Sequence, residues 1–258
     1  MAETGRLYNS VAPLANVVRL QALIDRCENR AHGLPGMGCF YGKAGHGKTT
    51  AGVYATNRKH ACHVEALPFG GLKKLLEMIV IELGLRPARL VPQLFDQAAE
   101  ELAKTNRPLI IDEADHILTD KLIETVRHLH DKSGVPVILM GEETLPHRLQ
   151  RWERVHGRML AWVAAEPATI EDVGHLAPIY APGIEISPDL KAAVLASSRK
   201  SMRYISTNLA TIHEFAIVRG LTRLTLADWN GGAFHTGEPP AIRRDMPVPL
   251  QKSRRSAA

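Results

Sequence analysis

The run Gly42-Lys43-Ala44-Gly45-His46-Gly47-Lys48-Thr49 has the spacing G-x-x-x-x-G-K-T, which suits the holding of a polyphosphate. Glycines let the backbone turn tightly and bring its N–H groups up to phosphate oxygens. A helix start behind them adds the positive end of its dipole. Gly42, Gly45, His46, Gly47 and Thr50 would shape the loop around the phosphates, Lys48 would reach the β- and γ-phosphates, and Thr49 would place its hydroxyl on Mg²⁺. The chemistry implied is ATP binding with Mg²⁺. A chance glycine-rich turn would produce the same letters. The flanks argue against it: residues 37–41 are short and mostly apolar, reading as a buried strand, and residues 49–57 read as a helix.

A second stretch supplies what the first lacks. Pro108-Leu109-Ile110-Ile111-Asp112-Glu113 is an apolar strand ending in two carboxylates, the Walker B form. Asp112 would hold Mg²⁺ directly or through water, and Glu113 is the base that would polarise an attacking water. Alone, a strand ending in an acidic turn is the simpler reading; beside the loop it is not. Asp112-Glu113-Ala114-Asp115 also spells the helicase box D-E-A-D, but such a helicase needs two tandem cores and 258 residues are too few.

Around these motifs the chain alternates. Leu14, Val17, Val18, Ile24, Cys27 and Ala31 give residues 14–31 an amphipathic helical spacing, with Pro13 at its first turn and Gly33 stopping it; the pattern resembles the helix that precedes the first strand in many P-loop ATPases, where nearby residues cover the adenine, and that resemblance makes Tyr8 to Val11 the candidates here. Residues 60–66 read as a second strand. A metal reading of His60, Cys62 and His63 is set aside, because neighbours on a strand point to opposite faces and no second ligand pair has zinc spacing. Helices over 69–83 and 92–104 lead to the Walker B strand, and strands follow at 135–140 and 159–163. Short apolar strands alternating with helices predict an α/β fold, a parallel sheet flanked by helices, with the ligand at the carboxyl ends of the strands. After Pro167, helices at 169–180, 187–198 and 201–220 predict a small all-helical lid. The division expected is a nucleotide-binding core over 1–166, a lid over 167–230 and a flexible basic tail over 231–258.

Composition is that of an ordinary soluble protein, 45% hydrophobic and 23% charged. No apolar run has the length of a membrane span and the N-terminus lacks the apolar core of a signal peptide, so a cytoplasmic location is expected. Cys27, Cys39 and Cys62 are odd in number and widely spaced, which fits a reducing compartment. The net charge is +5, but Arg243, Arg244, Lys252, Arg254 and Arg255 against Asp245 place about +4 of it in the tail. Nucleic acid would therefore meet a local patch on the core. Lys73, Lys74, Arg86 and Arg89 are the set that would supply one, against the plainer reading of a solvated helix face.

With these pieces placed, residues 9–229 resemble an AAA+ ATPase of the P-loop NTPase class. More narrowly, the chain is similar to the target-capture ATPases of DNA transposition, the B proteins of Mu-like phages and related transposon ATPases. That likeness lies in its size, its compact core and Val137-Ile138-Leu139-Met140-Gly141-Glu142-Glu143-Thr144-Leu145 running into an arginine-rich helix. The resemblance implies further sites. Sensor 1 falls on Glu142 or Thr144, neither being the usual Asn. The trans-acting arginine finger falls on Arg151, Arg154 or Arg158, with Arg158 preferred because Gly157-Arg158-Met159-Leu160 leads into the next strand; a surface helix charge is the other reading of each. Sensor 2 falls on Arg203, with Arg199 close by.

The resemblance also implies partners: double-stranded DNA bound without sequence preference, further copies of the chain in a ring or helical filament, and a DDE transposase that the ATPase recruits or activates. Other AAA+ functions compete, namely a replication initiator or loader and a secretion-associated ATPase. An initiator would be expected to carry a winged-helix domain after the lid, and a secretion ATPase a membrane span. A P-loop small-molecule kinase would leave the lid and the arginines without a role. Glu113 argues against a scaffold with little turnover.

Overall fold

Apolar residues that alternate along short strands must be covered on both faces, and the computed structural model, which describes residues 14–230 and 232–238, shows how. Strands β1 (Met37–Tyr41), β2 (Cys62–Glu65), β3 (Leu109–Asp112), β4 (Val137–Gly141) and β5 (Met159–Ala164) form one parallel sheet in the order β2-β3-β4-β1-β5. Phe40, Ile110, Ile138 and Met140 face one core; Cys39, Leu109, Ile111 and Leu139 face the other. The first core is closed by α1 (Ala15–Glu28) and α2 (Lys48–Lys59). The second is closed by α3 (Leu72–Glu82), α4 (Val91–Thr105) and α5 (Asp120–Ser133). The chain leaves β1 towards β2 on one side and reaches β5 on the other, so the strand order reverses at β1, where an open sheet offers a crevice.

The region expected as one arginine-rich helix after β4 is two short ones, α6 (Leu145–Leu149) and α7 (Glu153–His156). Beyond β5 come α8 (Ile170–Tyr180), α9 (Pro188–Ser197) and α10 (Met202–Arg219). Leu190, Val194, Ile205, Leu209 and Ile212 of this lid join the same core as α1 and the sheet. The lid is not all-helical: β6 (Glu185–Ile186) and β7 (Arg223–Leu224) pair in parallel, each too short for its two residues to show a period. Residues 232–238 fall in the stretch expected as tail. They run back across α10: Phe234 stacks at 5.5 Å on Trp229, and the His235 N–H donates to Asn208 Oδ1 at 2.6 Å. The basic residues from Arg243 onward lie outside the described residues. No described helix is long and apolar enough to cross a membrane.

Two buried polar side chains join these parts. Asp172, 2% exposed, closes a capping box with Thr169 at the start of α8 and also accepts the Ala15 N–H of α1 at 2.9 Å. Asn16, 1% exposed, donates to the carbonyls of His46 and Glu166, each at 2.8 Å, and accepts the Glu166 N–H at 2.9 Å. One side chain thus ties α1 to the phosphate loop and to the segment leading into the lid. Asp172→Ala would strand two N–H groups, and we expect it to cost about 2–4 kcal/mol of stability in urea denaturation followed by circular dichroism. A loss below about 1 kcal/mol would mean that water replaces the carboxylate without penalty.

Candidate nucleotide site

The loop between β1 and α2 adopts a path that its sequence permits almost alone. Gly45 and Gly47 have φ of +85° and +81°, left-handed values that side chains disfavour. With that path, α2 begins at Lys48 with its N-terminus aimed along the loop. The Lys48 ammonium folds back to donate to the carbonyls of Gly42 at 2.7 Å and Lys43 at 3.1 Å. Burial lowers its pKa, while the carboxylates of Asp112, Glu113, Glu142 and Asp115 oppose that shift.

The acidic half is built from the ends of β3 and β4. Asp112 is 2% exposed; its Oδ1 accepts the Glu113 N–H at 2.9 Å, and its Oδ2 is buried without a partner among the described residues. Glu113 has φ of +51°, a left-handed conformation for a residue with a side chain, and that turn brings it to the edge of the cleft. Burial and then the neighbouring Asp112 charge raise the Glu113 pKa, with Lys48 pulling the other way. Asp115 fastens the two strand ends together. Its Oδ2 accepts the Glu142 N–H at 2.7 Å and its Oδ1 accepts from Arg148 at 2.7 Å. Gly141 makes this approach feasible, because a Cβ there would collide with the Asp115 carboxylate.

Between these halves and the lid lies a cleft of about 450 Å³, the size of a small-molecule site. Gly45, Gly47, Lys48, Thr49, Thr50, Glu113, Glu142 and Arg203 all line it, so most of the sequence-derived set converges. Its apolar side is Leu14, Leu176, Tyr180 and Met202. The lid touches the loop itself: the Met202 N–H donates to the Gly45 carbonyl at 2.9 Å. That contact carries Arg203 into the cleft. Arg199 turns away to pair with Glu238, so of the two arginines Arg203 is the one that lines the cleft.

Other expectations land elsewhere. Gly42 does not line the cleft; it packs on Ala165, where a Cβ would come within 3.0 Å of the Ala165 Cβ. His46 turns its ring away, Nδ1 lying 3.1 Å from the Ala165 carbonyl, so only its backbone belongs to the loop. Thr144 is the N-cap of α6 and does not line the cleft, whereas Glu142 does. Arg158 stands at the start of β5, the end of the sheet away from the loop, and pairs with Asp131 at 2.7 Å. Partial burial pushes the Asp131 carboxyl up, but the hydrogen bond and charge of Arg158 with the charge of Arg127 leave it below its usual range. Arg154 on α7 and Arg151 before it are exposed and without an ion pair among the described residues. Lys73 and Lys74 stand on the first turn of α3, Lys73 3.7 Å from Glu77, while Arg86 and Arg89 lie in the loop beyond its far end. The four share no helix face. Tyr8 to Val11 lie outside the described residues.

Sequence reasoning missed Leu14, Asn16, Asp115, Leu176 and Tyr180. Of these, only Asn16 carried a signal, being a polar residue at the otherwise apolar start of α1. The residues present fit a magnesium nucleotide. Asp112 Oδ2 is an unsatisfied buried acceptor near the Thr49 helix, and the Lys48 ammonium is held by carbonyls it can exchange for phosphate oxygens. No group of three or more His, Cys, Asp or Glu among the described residues could hold a metal without such a ligand.

An AAA domain family model matches residues 31–149, which span the phosphate loop, β3 and β4. No curated protein matches the sequence. Among solved structures, the Aeropyrum pernix ORC2 protein in ADPNP–ADP complexes is similar at 18% identity over 85% of this chain and 68% of its own, with a TM-score of 0.67. Cdc6p from Pyrobaculum aerophilum is similar at 14% identity over 84% of this chain and 67% of its own, with a TM-score of 0.60. The Aeropyrum pernix ORC1 protein in complex with DNA is similar at 17% identity over 86% and 65%, with a TM-score of 0.58. The strand order, the placement of the two motifs and these likenesses agree: the chain has the AAA+ P-loop NTPase fold, with an AAA domain over residues 31–149.

Proposed function

We propose that the protein hydrolyses ATP to ADP and phosphate and uses the nucleotide state to assemble on double-stranded DNA without sequence preference, there recruiting or activating a DDE transposase. The observation that carries the first part is the single cleft lined by Lys48, Thr49, Glu113 and the lid's Arg203. The loop N–H groups and Lys48 bind the β- and γ-phosphates, and Arg203 reports the γ-phosphate to α10. Glu113 orients and deprotonates the attacking water. Thr49 and Asp112 would hold Mg²⁺, which when bound would supply positive charge to offset the phosphate oxygens.

Arg158 lies at the amino end of β5, away from this chain's own loop, so as a finger it would serve a neighbouring copy. That arrangement supports a ring or filament in which ATP sits between subunits. Arg158 must exchange Asp131 for the phosphate to act so. The DNA part draws on the ORC1 likeness, a protein solved with DNA, and on the exposed Lys73, Lys74, Arg86 and Arg89. The transposase draws on the sequence resemblance. A second reading, a replication initiator or loader, is favoured by the ORC and Cdc6 likenesses and differs in the partner it engages.

Four outcomes test this. Glu113→Gln should lower turnover by at least about 100-fold and leave nucleotide affinity within about threefold. Because its pKa is raised, Glu113 loses its base form at a higher pH than an ordinary glutamate. The acid limb of kcat should therefore lie above about 4.3, and a limb at or below that value would remove Glu113 from the role. Arg158→Ala should abolish turnover while sparing nucleotide binding; normal turnover would move the finger to Arg154 or Arg151. Purified protein on random-sequence duplex, imaged by negative stain, should form rings or filaments with ATP and lose them with ADP, with binding that weakens steeply with salt. A nucleotide-binding monomer indifferent to DNA would end the DNA reading.

A further inference from the structure

Three buried side-chain atoms among the described residues lack a hydrogen-bond partner, and two of them face each other beneath the phosphate loop. These are His63 Nε2 and Asp112 Oδ2, 3.9 Å apart. His63 lies opposite Ile110 in the β2–β3 register, and Asp112 is two residues further on, so both side chains leave the same face of the sheet. That face is covered by α2. Its Gly52, three residues past Thr49, leaves room for the imidazole: a Cβ there would come within 2.9 Å of His63 Cε1 and 3.0 Å of Nε2. The ring is thus slotted between the helix that carries the Thr49 hydroxyl and the strand that carries Asp112. A bare nitrogen lone pair facing a carboxylate would repel it, so this setting selects the tautomer with hydrogen on Nε2. The gap is longer than the roughly 2.7–3.2 Å of an N–H···O bond, and a small rotation of either side chain closes it.

We infer that His63 is a positioning residue of the magnesium site, its Nε2–H donating to Asp112 Oδ2 and fixing the carboxylate in the orientation that takes up the metal together with the nucleotide. With Oδ1 held by the Glu113 N–H, the carboxylate is then fixed from both sides. The inference rests on the reading of Thr49 and Asp112 as the Mg²⁺ pair. A ring that merely fills space would be replaceable by another of its volume; a donor would not.

The test is binding of a fluorescent ADP analogue across a Mg²⁺ titration, with a matching arm in EDTA. H63F keeps bulk and loses the donor. It should need about tenfold or more Mg²⁺ for half-maximal enhancement, with affinity in EDTA within about twofold of wild type. H63Q restores an N–H donor and should stay within about threefold of wild type. G52A crowds the imidazole and should shift the Mg²⁺ requirement in the same direction as H63F, which decides the matter if H63F does not fold. Wild-type Mg²⁺ dependence in H63F or G52A, equal impairment of H63Q and H63F, or a loss equally large in EDTA would overturn the role of His63. A wild-type protein whose nucleotide affinity ignores Mg²⁺ would instead overturn the Thr49–Asp112 reading, and this inference with it.

Discussion

The lid rests on bare backbone. The Met202 N–H reaches the Gly45 carbonyl, and a Cβ on Gly45 would stand 2.5 Å from Ser201 Oγ, while one on Gly47 would stand 3.3 Å from Met202 Cγ. The two glycines are therefore constrained twice, once by a left-handed backbone that the phosphate cradle requires and once by the helix pressed against it. The cleft exists because both demands are met by the same residues. Arg203 comes one position after the docking amide, so its distance from the loop is set by a backbone hydrogen bond and not by a flexible linker.

The loop is also held from behind. Asn16 binds the His46 and Glu166 carbonyls, and Asp172 binds α1 and α8, so first helix, loop and lid share a short chain of buried polar contacts. Such contacts are costly to leave half made. At the opposite wall, Asp115 joins the ends of β3 and β4 through the Glu142 amide, so Glu113 and Glu142 are held in one piece.

What the sequence made legible follows from how local each constraint is. The phosphate loop and the Walker B strand fix residue types within a few positions, so Lys48, Thr49, Asp112 and Glu113 could be proposed from spacing; Lys48, Thr49 and Glu113 line the cleft, and Asp112 lies buried at the end of β3 beside Glu113. The parallel sheet followed from runs of buried strand residues. Asp115 was not legible, because its partners Gly141 and Glu142 lie 26 and 27 residues on and only the fold brings them together. Arg203 and Arg199 could not be told apart because Arg199 and Lys200 take left-handed φ values of +50° and +58° in the α9–α10 turn, which swings the earlier arginine towards Glu238. β6 and β7 are too short to carry a pattern.

Residues 232–238 behave as a strap over the lid. Asn208, 1% exposed, spends its side chain on that strap and on Ser198, giving one bond to the His235 carbonyl and accepting one from its amide. Trp229 is 4% exposed with Phe234 against it. A chain cut at Gly231 would open a buried asparagine and a tryptophan to water, and would loosen the helix whose first residues touch the phosphate loop. Any truncation meant to remove only the basic C-terminal residues has to leave Glu238 in place; otherwise a change in nucleotide handling would be mistaken for a property of the arginines beyond it.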